Sequence, residues 1–339
     1  MSFRFCRPLC LLFATAGVLA NAPHSFAQRP ATSPPGPAPK ANNSSSNRPR
    51  TPDGRPDFQG IWDFRTVTPL ERPGNFAGKE QLTADEAAAI EKQAVESRVD
   101  RPPRAGDPGT YNQFWFDFGT KVVGTKRTSL IVDPPDGRLP ALTPEAQRRM
   151  TVRAEETRRA PTGPEDRTLW ERCILGFNAG PPIMPSGYNN NIQLFQTPKN
   201  VVILTEMVHD ARVVPLDGRP HGTIPQWMGD SRGHWEGDTL VVDTIQFTPK
   251  GTGTIGLRSA SDEHLHLIER FTLADADTLV YKFTVDDPTV WARPWTAEVP
   301  MRRSPDQIYE YACHEGNYAM PGLLRGARRA EGVAVFEKK

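Results

Sequence analysis

The chain has 339 residues and a formal net charge of +1, with 41 Lys and Arg against 40 Asp and Glu. Basic and acidic residues are interspersed, which argues against a protein that binds a phosphate backbone or an anionic membrane surface. We therefore expect neither nucleic acid nor a lipid bilayer as a partner of the mature protein.

The first 27 residues have the pattern of a signal peptide. Arg4 and Arg7 form a basic start, residues 9–20 are apolar, and Ser25-Phe26-Ala27 has the small residues of a cleavage site. The apolar run is too short to span a bilayer. We expect cleavage after residue 27 and a periplasmic or secreted location. The net charge then falls from +1 to −1, because two arginines and no acidic residue leave.

Export also bears on the four cysteines. Cys6 and Cys10 leave with the signal peptide, so Cys173 and Cys313 are the two that remain. Two remaining cysteines in an oxidising compartment usually pair. The sequence therefore predicts a Cys173–Cys313 disulfide, and two buried free thiols are the alternative.

Composition divides the mature chain into a linker and one domain. Residues 28–55 are rich in Pro, Ser, Asn and Ala and have almost no large apolar side chain, which predicts a disordered linker. We expect one domain over residues 56–335, with a helical insertion at about 80–175. Helices are predicted at 83–98, where Thr83 and Glu86 form a capping box, and at 143–159.

The remaining part of the domain alternates apolar and polar residues at the period of a β-strand. Residues 229–247 read as a hairpin, because Gly237 suits a tight turn between residues 231–235 and 239–247. Further strands are predicted at 57–62, 127–132, 190–196, 200–207, 212–216, 264–273, 278–286, 295–301 and 308–313. We expect a mainly β protein, an antiparallel lipocalin-like barrel or a strongly bent sheet.

Residues 68–73, 132–138, 229–244 and 314–318 resemble a family of exported bacterial proteins that has no established activity. The resemblance covers most of the mature chain and implies export and a single domain. Gly60-Ile61-Trp62 resembles the first strand of lipocalin-like (calycin) barrels, where the tryptophan closes one end. That likeness implies a fold and no function.

Three predicted strands each place one carboxylate on an apolar face, namely Asp243, Glu269 and Asp287. Burying a carboxylate is costly unless it is paired or its pKa shifts. An interior site that gathers two or three acids is therefore predicted. The alternative is that each acid pairs with an interior arginine, Arg212 or Arg270 for example, or caps a turn.

Two histidine–acid pairs lie at the ends of predicted strands. His209 precedes Asp210 between two strands, and His314-Glu315 follows Cys313. Imidazole is the side chain whose ordinary pKa suits proton transfer near neutrality. We predict that both histidines face one mouth of the barrel. The alternative is that they lie on the surface or cap turns.

Two further segments are candidates for ligand contacts. The aromatic-rich residues 111–118 include Trp115, which can form a pocket wall, or else a core segment. Tyr188 and Asn190 belong to a run of side chains that can donate and accept hydrogen bonds. The alternative for that run is a turn that leads into a strand.

The histidine spacing argues against a metal site. His264 and His266 share one face of a predicted strand, but Glu269 lies on the other face, so a third ligand would have to come from elsewhere, such as His234 or His221. No nucleotide-binding or nucleophile motif is present. We predict no metal and no cofactor.

Together these patterns predict an exported protein with a small-molecule pocket; the sequence specifies no oligomeric state. A cofactor-independent acid–base enzyme, a lyase, isomerase or hydrolase, is favoured over a carrier of an apolar or glycosidic ligand. Glu269 or His209 is the expected base and His314 the expected acid. The expected ligand contacts are Tyr188, Asn190, Arg212, Asp243, Trp115 and Glu315.

Overall fold

Ten antiparallel strands form one sheet in the computed structural model, which describes residues 48–98, 116–156, 158–159, 161–251 and 263–332. The strands are β1 Gly60–Asp63, β2 Ile131–Asp133, β3 Asn191–Gln196, β4 Asn200–Thr205, β5 Ala211–Pro215, β6 Asp230–Glu236, β7 Thr239–Ile245, β8 His266–Leu273, β9 Thr278–Asp286 and β10 Trp295–Ser304. Their order is β5-β4-β3-β1-β10-β9-β8-β7-β6, and β2 also pairs with β10. The prediction of a mainly β, antiparallel protein is confirmed.

Three α-helices accompany the sheet in the described residues: α1 Ala84–Glu96, α2 Pro144–Glu156 and α3 Ala319–Ala330. The predicted capping box begins α1, since the Glu86 N–H donates to Thr83 Oγ1 at 3.2 Å and the Thr83 N–H donates to Glu86 Oε2 at 2.8 Å. Both α1 and α2 fall within the predicted helical insertion. The helix α3 was not predicted.

Two predicted strands differ from the structure. Residues 308–313 form no strand. Their alternating pattern has the period of a strand, but β10 ends at Ser304 and none of the described strands pairs with this segment. The strand predicted at 127–132 shortens to β2, because the backbone before it bonds to irregular segments. The Thr128 N–H donates to Glu80 O at 3.0 Å, and the Leu130 N–H donates to Pro69 O at 2.8 Å.

The sheet bends until its two edge strands, β5 and β6, lie side by side. Among the described residues no ladder of backbone hydrogen bonds joins these edges. Side chains fill the β5–β6 junction instead: a Cβ added to Gly233 would lie 2.8 Å from Val214 and 2.6 Å from Leu216. The sheet is therefore bent but not closed into a barrel, and the lipocalin-like form of the prediction is not confirmed.

The core lies on the inner face of this bent sheet. Alternate residues of β8 and β9 are buried along the whole of both strands. The largest fully buried side chains on the strands include Trp62, Tyr281, Phe283 and Trp295. The Trp62 Nε1–H donates to Phe58 O at 2.8 Å, and the Arg303 guanidinium lies 4.4 Å from a Trp62 ring centroid. The described residues belong to one compact unit, Ser45–Lys339.

Candidate ligand-binding site

Glu269, the predicted base, lies on the inner face of β8 with no exposed surface. Its two carboxylate oxygens bind the guanidinium of Arg212, and Nη2 donates to Oε1 at 2.8 Å. The Tyr281 hydroxyl donates to the same Oε1 at 2.7 Å and accepts from the Ile183 N–H at 3.1 Å. The carboxylate is therefore held in a buried ion pair, which was the alternative considered from the sequence.

The protonation states of the partners of Glu269 follow from burial and charge. Burial alone would lower the pKa of Arg212, but the charge and hydrogen bonds of Glu269 outweigh it and raise that pKa. Burial raises the pKa of Tyr281 well above its ordinary value, and the negative charge of Glu269 raises it further. At neutral pH Arg212 is a cation and Tyr281 a neutral donor, so both carboxylate oxygens of Glu269 are bound by protein groups.

Asp243 lies on the outer face of β7, so its predicted interior position is wrong. The strand turns Val242 and Thr244 inward, and Val242 pairs with Glu269 of β8. Val241, on the same outer face as Asp243, is also buried. The continuous apolar run Leu240–Val242 therefore does not show which face of the strand points inward. Period two alone therefore selected the wrong face of this strand.

On the outer face Asp243 lies between two imidazole rings. His221 Nε2 is 2.9 Å from Oδ1, and His266 Nε2 is 2.7 Å from Oδ2. Asp230 Oδ2 lies 3.5 Å from the other nitrogen of His221. Among the described residues no group of three or more His, Cys, Asp and Glu side chains has the geometry to hold a metal ion.

Asp287 and Asn190 bind protein groups. Asp287 is buried and accepts from the N–H of Thr289 at 3.0 Å and from its hydroxyl at 2.7 Å, so it caps a turn. The Asn190 amide donates to Asp117 O at 2.8 Å and to Ser186 O at 2.9 Å, and it accepts from the Ser186 N–H at 2.8 Å. Because both donors of Asn190 are used, this side chain fixes two loops rather than orienting a ligand.

Tyr188 belongs to a row of five partly exposed aromatic rings, which we call the aromatic row. The rings are, in order, Phe118, Phe116, Tyr188, Phe177 and Trp170. Successive ring centroids lie 5.4, 6.4, 5.3 and 6.2 Å apart. Phe116 and Phe118 belong to the segment 111–118, for which the sequence suggests either a pocket wall or a core segment; both rings are partly exposed. Trp115 itself lies outside the described residues.

The Trp170 end of the aromatic row reaches a cavity of about 480 Å³, which we call the disulfide cavity. Its walls include Trp170, Glu171, Glu310, Tyr311, Asn317 and the Cys173–Cys313 disulfide. The predicted disulfide is present, with an S–S distance of 2.03 Å. It attaches the segment after β10 to residues 170–173, so cavity walls far apart in sequence meet at this bond.

Three exposed aromatic side chains belong to the chain segments that form the disulfide cavity. Trp170 is 43% exposed, and Tyr309 and Tyr318, which adjoin the cavity walls in sequence, are 75% and 83% exposed. Outside this region and the aromatic row, Phe195 is the one other aromatic among the large exposed apolar side chains of the described part of the chain. An exposed aromatic wall beside polar side chains is typical of a ligand-binding cavity.

The predicted acid, His314, and Glu315 lie exposed on the turn at residues 313–316, beside the disulfide cavity. His209 ends the short helical turn Met207–His209 between β4 and β5, where the sequence predicts a turn. That turn packs against Gly176, whose N–H donates to Asp210 Oδ2 at 3.1 Å. The buried Glu269 belongs to the inner face, so the structure does not bring it to this surface.

Sequence reasoning missed Trp170, Tyr309, Tyr311 and Tyr318 as site residues. The available signal was the density of tyrosines on both sides of Cys313. A second groove of about 490 Å³ runs along α1, and its walls belong partly to a small apolar cluster around Leu82. None of the strongly exposed aromatic side chains lines that groove, so we favour the disulfide cavity.

No known protein family, curated protein or solved structure matches this chain. The resemblance to a family of exported bacterial proteins therefore remains a proposal. In the described residues, none of the helices combines the length and the apolar character needed to cross a bilayer.

Proposed function

We propose that this protein is exported and binds a small molecule in the disulfide cavity, with the adjoining aromatic row as part of the contact surface. The observation that carries the proposal is that the exposed Trp170 lines a cavity of about 480 Å³, with exposed Tyr309 and Tyr318 in the chain segments that form its walls. Small-molecule sites commonly have volumes of about 300–1,000 Å³ and combine aromatic walls with a few polar groups. The ligand is of the apolar or glycosidic kind that the sequence indicates.

The state of Glu269 favours a binding protein, in the manner of a lipocalin-like carrier, over an enzyme that uses this carboxylate. A general base must reach the proton that it abstracts. Glu269 has no exposed surface and binds Arg212 and Tyr281 instead. We therefore propose that Glu269 and Arg212 hold the sheet together and that the ligand binds elsewhere.

An acid–base enzyme is the second candidate, and one observation favours it. The His266 imidazole is oriented by the Asp243 carboxylate at 2.7 Å, the arrangement that many catalytic histidines use. His266 and Asp243 are both partly exposed on the outer face. Loss of turnover in His266→Gln, with ligand binding retained, would support this candidate once a substrate is found.

Export is supported by the pattern of residues 1–27 and by the disulfide, which is typical of proteins in oxidising compartments. Expression of the full chain in a bacterium with a periplasm tests it. We expect the protein in the periplasmic fraction with Gln28 as its first residue. Intact protein in the cytoplasmic fraction would contradict the proposal.

The binding site is tested by fluorine NMR of mature protein labelled with 5-fluorotryptophan. The Trp170 resonance is assigned with Trp170→Phe, and a library of sugars, amines, aromatic alcohols and fatty acids is added. We expect at least one compound class to shift the Trp170 resonance and to lose affinity in Trp170→Ala. The matched control is Phe195→Ala, which removes an equally exposed aromatic from β3. Hits that shift only other tryptophans would refute this site.

A further inference from the structure

The side chains that line the disulfide cavity are aromatic, acidic or amide-bearing, and none of its described lining residues is Lys, Arg or His. Burial alone would raise the pKa of Glu171, but hydrogen bonds from Thr168 and the charge of Arg167 outweigh burial and lower it. Glu171 is therefore ionised at neutral pH and accepts hydrogen bonds only. A ligand with a carboxylate or a phosphate is disfavoured here, because the described lining holds two carboxylates and no Lys, Arg or His, and the adjoining Arg167 is already paired with Glu171.

The same cavity suits a neutral ligand that has both an apolar face and hydroxyl groups. The ring of Trp170 offers a flat apolar surface, and the Glu310 carboxylate offers acceptors for hydroxyl hydrogens. Both oxygens of Glu171 already accept from Arg167 or Thr168. The charge of Glu171 is already balanced by Arg167, which binds it directly. A cationic ligand would therefore gain less from Glu171 than from an unpaired carboxylate.

The aromatic row extends the surface well beyond the cavity. It presents five partly exposed rings from Trp170 to Phe118, with neighbouring centroids 5.3–6.4 Å apart. Its two ends are the most exposed rings, at 43% for Trp170 and 46% for Phe118. Successive rings make interplanar angles of 10°, 54°, 86° and 90°, so the row is a continuous apolar strip of ring faces and ring edges and not one flat platform. Such a strip suits an elongated ligand that has apolar faces along its length.

We infer that the ligand is a neutral oligosaccharide that lies along the aromatic row with one end in the disulfide cavity. This inference rests on the function proposed above and names the ligand class for the same site. A sugar ring has C–H faces that stack on aromatic rings and hydroxyls at its rim that donate to carboxylates. Several linked sugars explain why the aromatic surface continues past the cavity, which a single small molecule would not require.

Isothermal titration calorimetry of the mature protein with glucan and chitin oligosaccharides of one to six units tests the inference. We expect affinity to increase with chain length. Trp170→Ala should weaken binding of every length by about tenfold or more, because it removes the ring at which the row meets the cavity, which ligands of every length contact. Phe118→Ala should weaken the longer members alone, because shorter chains do not reach that end of the row.

Two control variants keep the test interpretable. Trp170→Tyr retains an aromatic surface and should restore part of the affinity, whereas Phe195→Ala removes an aromatic of equal exposure outside the row and should change nothing. The oligosaccharide inference is overturned if the saccharides do not bind while indole or benzylammonium shifts the Trp170 resonance. That result would leave the proposed binding site standing. If no compound of any class shifts that resonance, both the inference and the proposed function fall.

Discussion

Replacing Glu269 by glutamine should destabilise the protein strongly. The substitution keeps the shape of the side chain but removes the counter-charge of Arg212, which is almost completely buried. Removing one partner of a buried ion pair leaves an uncompensated charge and typically costs about 3–5 kcal/mol. Because Tyr281 also donates to Glu269, its hydrogen bond weakens in the same variant. We expect a loss of free energy of unfolding within that range.

The assay is urea unfolding of purified variants at pH 7, followed by tryptophan fluorescence and far-ultraviolet circular dichroism. The double variant Glu269→Leu with Arg212→Met replaces both charges by apolar groups of similar size. It should recover most of the loss, since a buried pair is often no more stabilising than apolar residues of similar volume. The matched control is Glu236→Gln, whose partner Arg270 is exposed on the outer face of the same strand as Glu269. Exposed pairs contribute little, so we expect almost no change.

The reasoning is refuted if Glu269→Gln is as stable as the parent protein. It is also refuted if the double variant loses as much stability as the single variant, because the cost would then not come from a stranded Arg212. A destabilised Glu269→Gln variant that still binds its ligand would separate the role of this carboxylate from ligand binding.

Three further predictions concern the same fold. The pKa of Tyr281 is raised by burial and by Glu269, so the folded state keeps the phenol proton above pH 10, where the unfolded chain loses it. The contribution of Tyr281 to stability should be constant below pH 10 and fall above it by up to about 1.4 kcal/mol per pH unit. Urea melts from pH 8 to 11 should show this loss in the parent protein and not in Tyr281→Phe. Replacing Cys173 and Cys313 by serine should cost about 2–5 kcal/mol, and thiol titration of the denatured, unreduced parent should find no free thiol; two free thiols would contradict the bond. Gly233→Val should cost about 1–3 kcal/mol by overpacking the β5–β6 junction, whereas Gly124→Ala, which has open space around it, should be nearly neutral in the same melts.

Local signals in the sequence predicted the regular elements well. The capping box identified the start of α1, because its hydrogen bonds involve residues only three positions apart. The hairpin of β6 and β7 follows from Gly237, which adopts a φ of +60° in the turn. Strict alternation in β8 and β9 placed Glu269 on the inner face, and Arg212 was named as its alternative partner.

Features that depend on distant residues were harder to predict. The face of Asp243 was assigned wrongly because three consecutive apolar residues precede it in β7. The helix α3 contains Pro321, Gly322 and Gly326, which lower helix propensity and conceal it. The disulfide cavity joins segments about 140 residues apart, so no periodic pattern marks it. The bond between Cys173 and Cys313 was predictable, but not which side chains it would bring together.

An open antiparallel sheet normally leaves two strand edges, each with a row of unpaired N–H and C=O groups that can pair with another molecule and start aggregation. In this protein the two edges are β5 and β6, and each lies against the other. The packing of Gly233 against Val214 and Leu216 leaves little room for a foreign strand between them. Each edge thus shields the other from intermolecular pairing, a protection that barrels obtain by closing their hydrogen-bond ladder.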